Sequence, residues 1–150
     1  MGLSFTCQKN LLLTFKMLLI PNKTKHRKVQ KGRIQNYDAK AKGLVLGIKG
    51  LIAIESAYLH ASQLEAARQT INRHLIRQGR VWTTVFPDLG VTKRPTQVRI
   101  GKGTGTVKYW AVKIRPGKVI FEVDGVSVKK ADLALKSGAS KLPFKVKMIN

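Results

Sequence analysis

The chain has 150 residues, 43% of them hydrophobic, with 29 Lys and Arg against 7 Asp and Glu for a net charge of +22. That length fits one domain, the apolar share excludes a wholly disordered chain, and the charge excess calls for a polyanionic partner, since each neutralised phosphate releases condensed counterions. Cys7 is the one cysteine, which excludes an intramolecular disulfide and a Cys-rich zinc site and points to an intracellular or matrix-facing protein.

Residues 1–16 hold two lysines and no acid. They read as a basic tail, with a weak targeting segment as the alternative. Leu11 to Ile20 is the longest apolar stretch; Thr14 and Lys16 interrupt it, and it is too short to span a bilayer. No broad apolar helix face is left over for a membrane surface, so no membrane partner is expected. Six of the eleven residues from Lys23 to Arg33 are Lys or Arg, without apolar periodicity. This predicts an extended arm over 17–42, unable to fold alone for want of apolar surface. Lys23, Lys25, His26, Arg27, Lys28, Lys31 and Arg33 are its candidate RNA contacts; a solvated tail is the alternative.

Residues 43–54 alternate Gly with Leu, Val and Ile and predict two short strands separated near Gly47–Gly50. Ser62-Gln-Leu-Glu65 predicts a capping box, with a helix running to about Gln78 and stopped by Gly79. Leu64, Ala67, Ile71 and Leu75 fall on one face of it. Arg73 and Arg77 fall on the opposite face and Arg68 on the flank; with Arg80 these are candidate phosphate ligands. Arg77 and Arg80 also suit the negative end of the helix.

Val81–Phe86 predicts a strand, Pro87–Gly90 a turn and Thr96–Ile100 another strand. Gly101-Lys-Gly-Thr-Gly105 is a flexible basic loop whose backbone can approach phosphate closely. Arg99, Gly101, Lys102, Gly103, Thr104 and Gly105 form the second candidate site, with a plain hairpin tip as the alternative. No helix follows and no Gly-Lys-Ser/Thr ending is present, which argues against a nucleotide-binding loop. Val107–Arg115 and Lys118–Val123 predict strands joined by a Pro116–Gly117 hairpin turn, and Asp124–Gly125 the next turn. A second helix is predicted over Val128–Leu142. Ala131, Ala134, Leu135, Gly138 and Leu142 share one of its faces, with Gly138 allowing close packing on a sheet. Pro143 ends it and Phe144–Ile149 is the last strand. The order predicts an α+β fold, two helices on a mostly antiparallel sheet in an α/β sandwich or hammerhead-like arrangement. The expected divisions are 1–16, 17–42 and 43–150.

Trp82, Phe86, Tyr109, Trp110 and Phe121 lie on strands; core packing suits most, with one or two at most facing RNA. His26, His60 and His74 lack metal-ligand spacing. Glu122 and Asp124 share a strand face at a turn and read as exposed. No nucleophile–base constellation is visible. Neither a metal nor a cofactor is expected beyond structural Mg ions of an RNA partner.

Several segments resemble one family in order. Met17-Leu-Leu-Ile-Pro-Asn-Lys-Thr-Lys-His-Arg-Lys-Val-Gln-Lys-Gly-Arg33 resembles the opening of the bacterial-type large-subunit ribosomal protein numbered sixteen, with its Pro-Lys-Arg-Thr-Lys-Phe-Arg-Lys and a basic run ending in Gly-Arg. Gln63-Leu-Glu-Ala-Ala-Arg68, Gly79-Arg-Val-Trp82, Val85-Phe-Pro-Asp88 and Val98-Arg-Ile-Gly-Lys-Gly-Thr-Gly105 resemble its later motifs. Tyr109-Trp110, Pro116-Gly-Lys118, Asp124-Gly-Val126 and Lys141-Leu-Pro143 follow at matching spacing. The resemblance covers about residues 17–150. It implies a small α+β sandwich, no enzyme activity, and binding to large-subunit rRNA close to the peptidyl-transferase region. Proximity to A-site tRNA, neighbouring ribosomal proteins as partners, and no free homo-oligomer are implied with it. Asn22 stands where the family usually has a basic residue, Thr104 where Lys is common, and 35–59 departs most. That drift, and the residues before Met17, suggest an organellar and preferably mitochondrial ribosome, with plastid or bacterial cytoplasm as alternatives. An RNA-modifying enzyme would need a cofactor site or catalytic constellation; a DNA-compacting protein would not need this ordered motif series.

Overall fold

A computed structural model describes residues 19–34, 37–38, 43–76, 78–101 and 103–150. The N-terminal division 1–16 and the candidate residues Arg77 and Lys102 lie outside the described residues.

Residues 19–34 form neither helix nor strand, as expected of the arm. The elements that follow are β1 (Lys49–Ala53), β2 (Ala57–His60), α1 (Ala61–His74), β3 (Arg80–Thr83), β4 (Leu89–Lys93), β5 (Thr106–Ile114), β6 (Val119–Asp124), α2 (Val128–Ala139) and β7 (Val146–Ile149). They make two antiparallel sheets, one in the order β3-β6-β1-β7 and one in the order β2-β5-β4. The fold is α+β, as the sequence predicts. Among the described residues no helix is long and apolar enough to cross a membrane.

The helical periodicity places Leu64, Ala67 and Ile71 of α1 in the core, with Leu75 at its C-cap. They meet Leu51, Ile114, Ile120, Phe121 and, from α2, Ala131, Ala134 and Leu135. Each buried Leu, Ile or Phe stabilises the fold by about 1.5–3 kcal/mol relative to exposure. Gly138 acts between helices rather than against a sheet: a Cβ there would run into the Ile71 side chain. The two glycine turns also meet. Gly79 (φ +76°) closes α1 into β3, Gly125 (φ +76°) closes β6 into α2, and a Cβ on Gly125 would stand 3.2 Å from the Gly79 Cα.

Other expectations are corrected. The helix begins two residues earlier than expected, at Ala61, and its cap is His60 rather than Ser62. The His60 ring accepts the Ser62 amide at 3.1 Å, and Gln63 Oε1 accepts the His60 amide at 3.1 Å. The box is therefore His60–Gln63, and Glu65 serves elsewhere. The chain leaves the helix at His74 because Leu75 caps it and Ile76 takes φ +53°. Residues 43–54 give one strand, since 44–47 fold over Glu122 instead of pairing. Leu89, expected within a turn, is a buried strand residue opposite Ala111, and Val91 beyond it is buried opposite Tyr109. Thr96–Ile100 has no strand partner and belongs to the β4–β5 connection. Pro116–Gly117 joins different sheets: β5 pairs β2 and β4, whereas β6 pairs β1 and β3. Gly117, at φ +87°, turns the corner, with the Lys118 amide donating to the Arg115 carbonyl at 3.1 Å. The second helix ends at Ala139, and Leu142 reaches the core from beyond it.

Candidate nucleic-acid interface

The two candidate basic segments, far apart in sequence, lie together. Lys28 Nζ donates to the Thr104 carbonyl at 2.7 Å. Just before it, the Arg27 carbonyl lies where a side chain on Gly90 would be, 2.9 Å from an ideal Cβ. Further on, the Tyr58 hydroxyl donates to the Gly32 carbonyl at 2.6 Å. The arm thus touches β4, the glycine loop and β2 of the three-stranded sheet. Lys23, Lys25, His26, Arg27, Lys28, Lys31 and Arg33 are all exposed.

The loop runs from Arg94 to Gly105, closed at its base by the Lys93–Thr106 pair. Arg99 sits within it rather than at a strand end. Its glycines have different tasks. Gly101 (φ +93°) and Gly103 (φ +81°) have open space around them but a backbone that side chains rarely adopt. Gly105 is there for room: a Cβ would strike the Lys93 carbonyl. Lys93, Arg94, Lys108, Lys113 and Arg115 add exposed cations on or beside the same sheet. Their isolated spacing resembles ordinary solvated strand cations, and only the pairing of β4 with β5 gathers them on one sheet.

The remaining described candidate arginines lie on α1 and at the start of β3. Arg73 and Arg80 are exposed. Arg68 is held by Glu65, with Nε to Oε2 at 2.9 Å and Nη2 to Oε1 at 2.7 Å. Burial pushes the Glu65 carboxyl up, but hydrogen bonds from Arg68 and Gln69 and the Arg68 charge bring it below its ordinary value. The hydrogen bond to Glu65 raises the Arg68 guanidinium in turn, against its own burial.

Of the aromatics, Phe121 is fully buried, Trp82, Tyr109 and Trp110 are half-buried, and Phe86 is exposed. Tyr109 stacks on His60 with ring centroids 4.3 Å apart. Glu122, expected on the surface, is only 1% exposed. Its Oε2 accepts the amides of Val45, Leu46 and Gly47 at 3.2, 2.6 and 2.9 Å. The strand pattern signalled its face but not the distant loop that covers it. Among the described residues no group of His, Cys, Asp and Glu is placed to hold a metal.

The profile of the family described as ribosomal protein L16p/L10e matches residues 21–149. The chain belongs to that family. It is similar to the large ribosomal subunit protein uL16 of Cereibacter sphaeroides, 51% identical over 135 residues, covering 88% of this chain and 96% of the relative. The proteins of the same name from Parvibaculum lavamentivorans and Sinorhizobium medicae are each 48% identical, cover 88% of this chain, and are themselves 95% and 96% covered. The matched span includes both the arm from residue 21 and the loop, so the family's shared region contains the whole basic cluster.

Proposed function

We propose that the chain is a structural, non-catalytic constituent of the large ribosomal subunit. It binds rRNA through the arm and the sheet beside it, and presents its glycine loop towards tRNA. Membership of a ribosomal protein family supports the first part. The observation that carries the second is the convergence of arm and loop, seen in the Lys28–Thr104 hydrogen bond. Exposed lysines and arginines neutralise phosphate, and the open glycines at 101 and 103 let the loop lie close to a phosphate ribbon. Arg99 supplies a planar fork for bidentate contact. Arg73 and Arg80 are proposed as flanking phosphate contacts. Residues 17–42 act as the arm and 43–150 as the folded body, with other large-subunit proteins as neighbours. Mitochondrial residence is the preferred location, on the divergence at 35–59; the bacterial origin of the relatives compared favours bacterial cytoplasm as the second reading.

Gradient sedimentation with organelle markers tests location and membership together: the chain should run with large subunits in stoichiometric amount. Arg99→Ala should leave subunits formed but slow tRNA binding at the A site. Failure of assembly, with surviving particles binding tRNA normally, would make the loop an rRNA anchor alone.

A further inference from the structure

Lys28 differs from its neighbours in the basic tract by where its ammonium goes. It donates to a loop carbonyl 76 positions away, at 2.7 Å. The arm is fixed on both sides of that contact. At Arg27 the backbone fills the space over Gly90, where a Cβ would also stand 3.3 Å from both Val107 methyl carbons. At Gly32 the carbonyl receives the Tyr58 hydroxyl. Earlier, Leu19 packs against the main core. Later, the Tyr37 ring covers Gly117, and the Asp38 amide donates to the Pro116 carbonyl at 2.9 Å. An arm whose only work was to neutralise phosphate needs none of these contacts, because a solvated lysine keeps its rotamer freedom. The loop, for its part, has positive-φ glycines at 101 and 103, and the Lys28 ammonium reaches it from outside at Thr104.

We infer that Lys28 is a positioning residue, tying the 103–105 end of the loop to an arm that Gly90 and Tyr58 hold in place. Arm and loop then move as one body, and seating the arm on RNA fixes the height and direction of the loop. This rests on the proposed reading of the arm as an rRNA contact. It assigns Lys28 a task that its neighbours Lys25 and Lys31 do not share.

The test uses the 15N-labelled full-length chain without RNA, comparing the unaltered protein with Lys28→Met, Tyr58→Phe and a Lys25→Met control. Backbone order parameters at Thr104 and Gly105 should be near the rigid value of about 0.85 in the unaltered protein and in Lys25→Met, and fall below about 0.6 in Lys28→Met. Tyr58→Phe should loosen Lys31 to Arg33. Unchanged order in the loop of Lys28→Met refutes the tie. Salt dependence of binding to a large-subunit rRNA fragment is measured alongside. Lys25→Met should flatten the log–log slope by roughly 0.7–0.9 and Lys28→Met by less than half as much. Equal losses make Lys28 an ordinary phosphate ligand and overturn the inference. No loss for Lys25→Met removes the arm's phosphate role instead, and the order parameters then decide the tie alone.

Discussion

Replacing Glu122 by Gln tests whether a single carboxylate holds the 44–47 loop onto the sheet. The Glu122 side chain is fully enclosed, and one of its oxygens serves three backbone amides, of Val45, Leu46 and Gly47. A hydrogen bond to a charged group is worth about 1.5–3 kcal/mol net, and a neutral one about 0.5–1.5. Three donors share one oxygen, so their losses do not add in full. Glutamine keeps the acceptor but not the charge, and should lower the unfolding free energy by about 2 kcal/mol. Alanine leaves the three donors without an acceptor and opens a cavity, and should cost about 4 kcal/mol. For a chain of this size, 2 kcal/mol corresponds to a fall in Tm of roughly 4–8 °C. Urea unfolding of the free chain gives the global number; amide exchange at residues 45–47 gives the local one. A Glu122→Gln protein within about 0.5 kcal/mol of the original, with those amides exchanging as before, would sink the reasoning.

The loop glycines should divide by cause. Gly103→Val meets open space but strained backbone, costing about 1–3 kcal/mol locally; it should impair tRNA binding more than subunit yield in purified ribosomes. Gly105→Ala forces apart the Lys93–Thr106 end of the hairpin and should lower thermal stability itself by about 1–3 kcal/mol. Replacing Lys25, Arg27 and Lys31 together by Ala should flatten the salt dependence of rRNA binding by about 2–3 units, and an unchanged slope would leave the tract merely solvated. The Glu65–Arg68 pair should act in acid. Because the folded carboxyl titrates below its unfolded value of about 4.3, its contribution is complete above that pH and is lost as pH falls through the lower folded value. Glu65→Gln should remove that part of the acid dependence measured by urea titration, with Arg68 retained.

Both helix faces and most strands were legible because burial repeats at 3.6 or 2 residues, and Leu64, Ile71 and Leu135 obey that rule without help from elsewhere. What escaped depended on distant partners. Pro87-Asp-Leu-Gly90 has turn chemistry, yet pairing with β5 draws Leu89 into a strand. Pro116–Gly117 has the same local geometry whether it closes a hairpin or turns between sheets. His60 caps α1 although histidine is not among the usual capping residues, because its ring nitrogen reaches the Ser62 amide. The basic residues of the candidate site were legible as charge. That Lys28 and Arg68 hold protein partners was not, since a side chain's partner is a property of the fold.

The contact between Gly79 and Gly125 limits how this sequence can change over generations. Both positions need a left-handed backbone; a methyl group on Gly79 would strike the Asp124 carbonyl and the Val126 side chain, and one on Gly125 would press on the Gly79 Cα. An exchange at one cannot be rescued by trimming the other, because there is nothing left to trim. The two junctions are therefore expected to stay fixed together while the exposed cations around them drift, and any lineage that loses one glycine must rebuild the approach of both helices to the sheet.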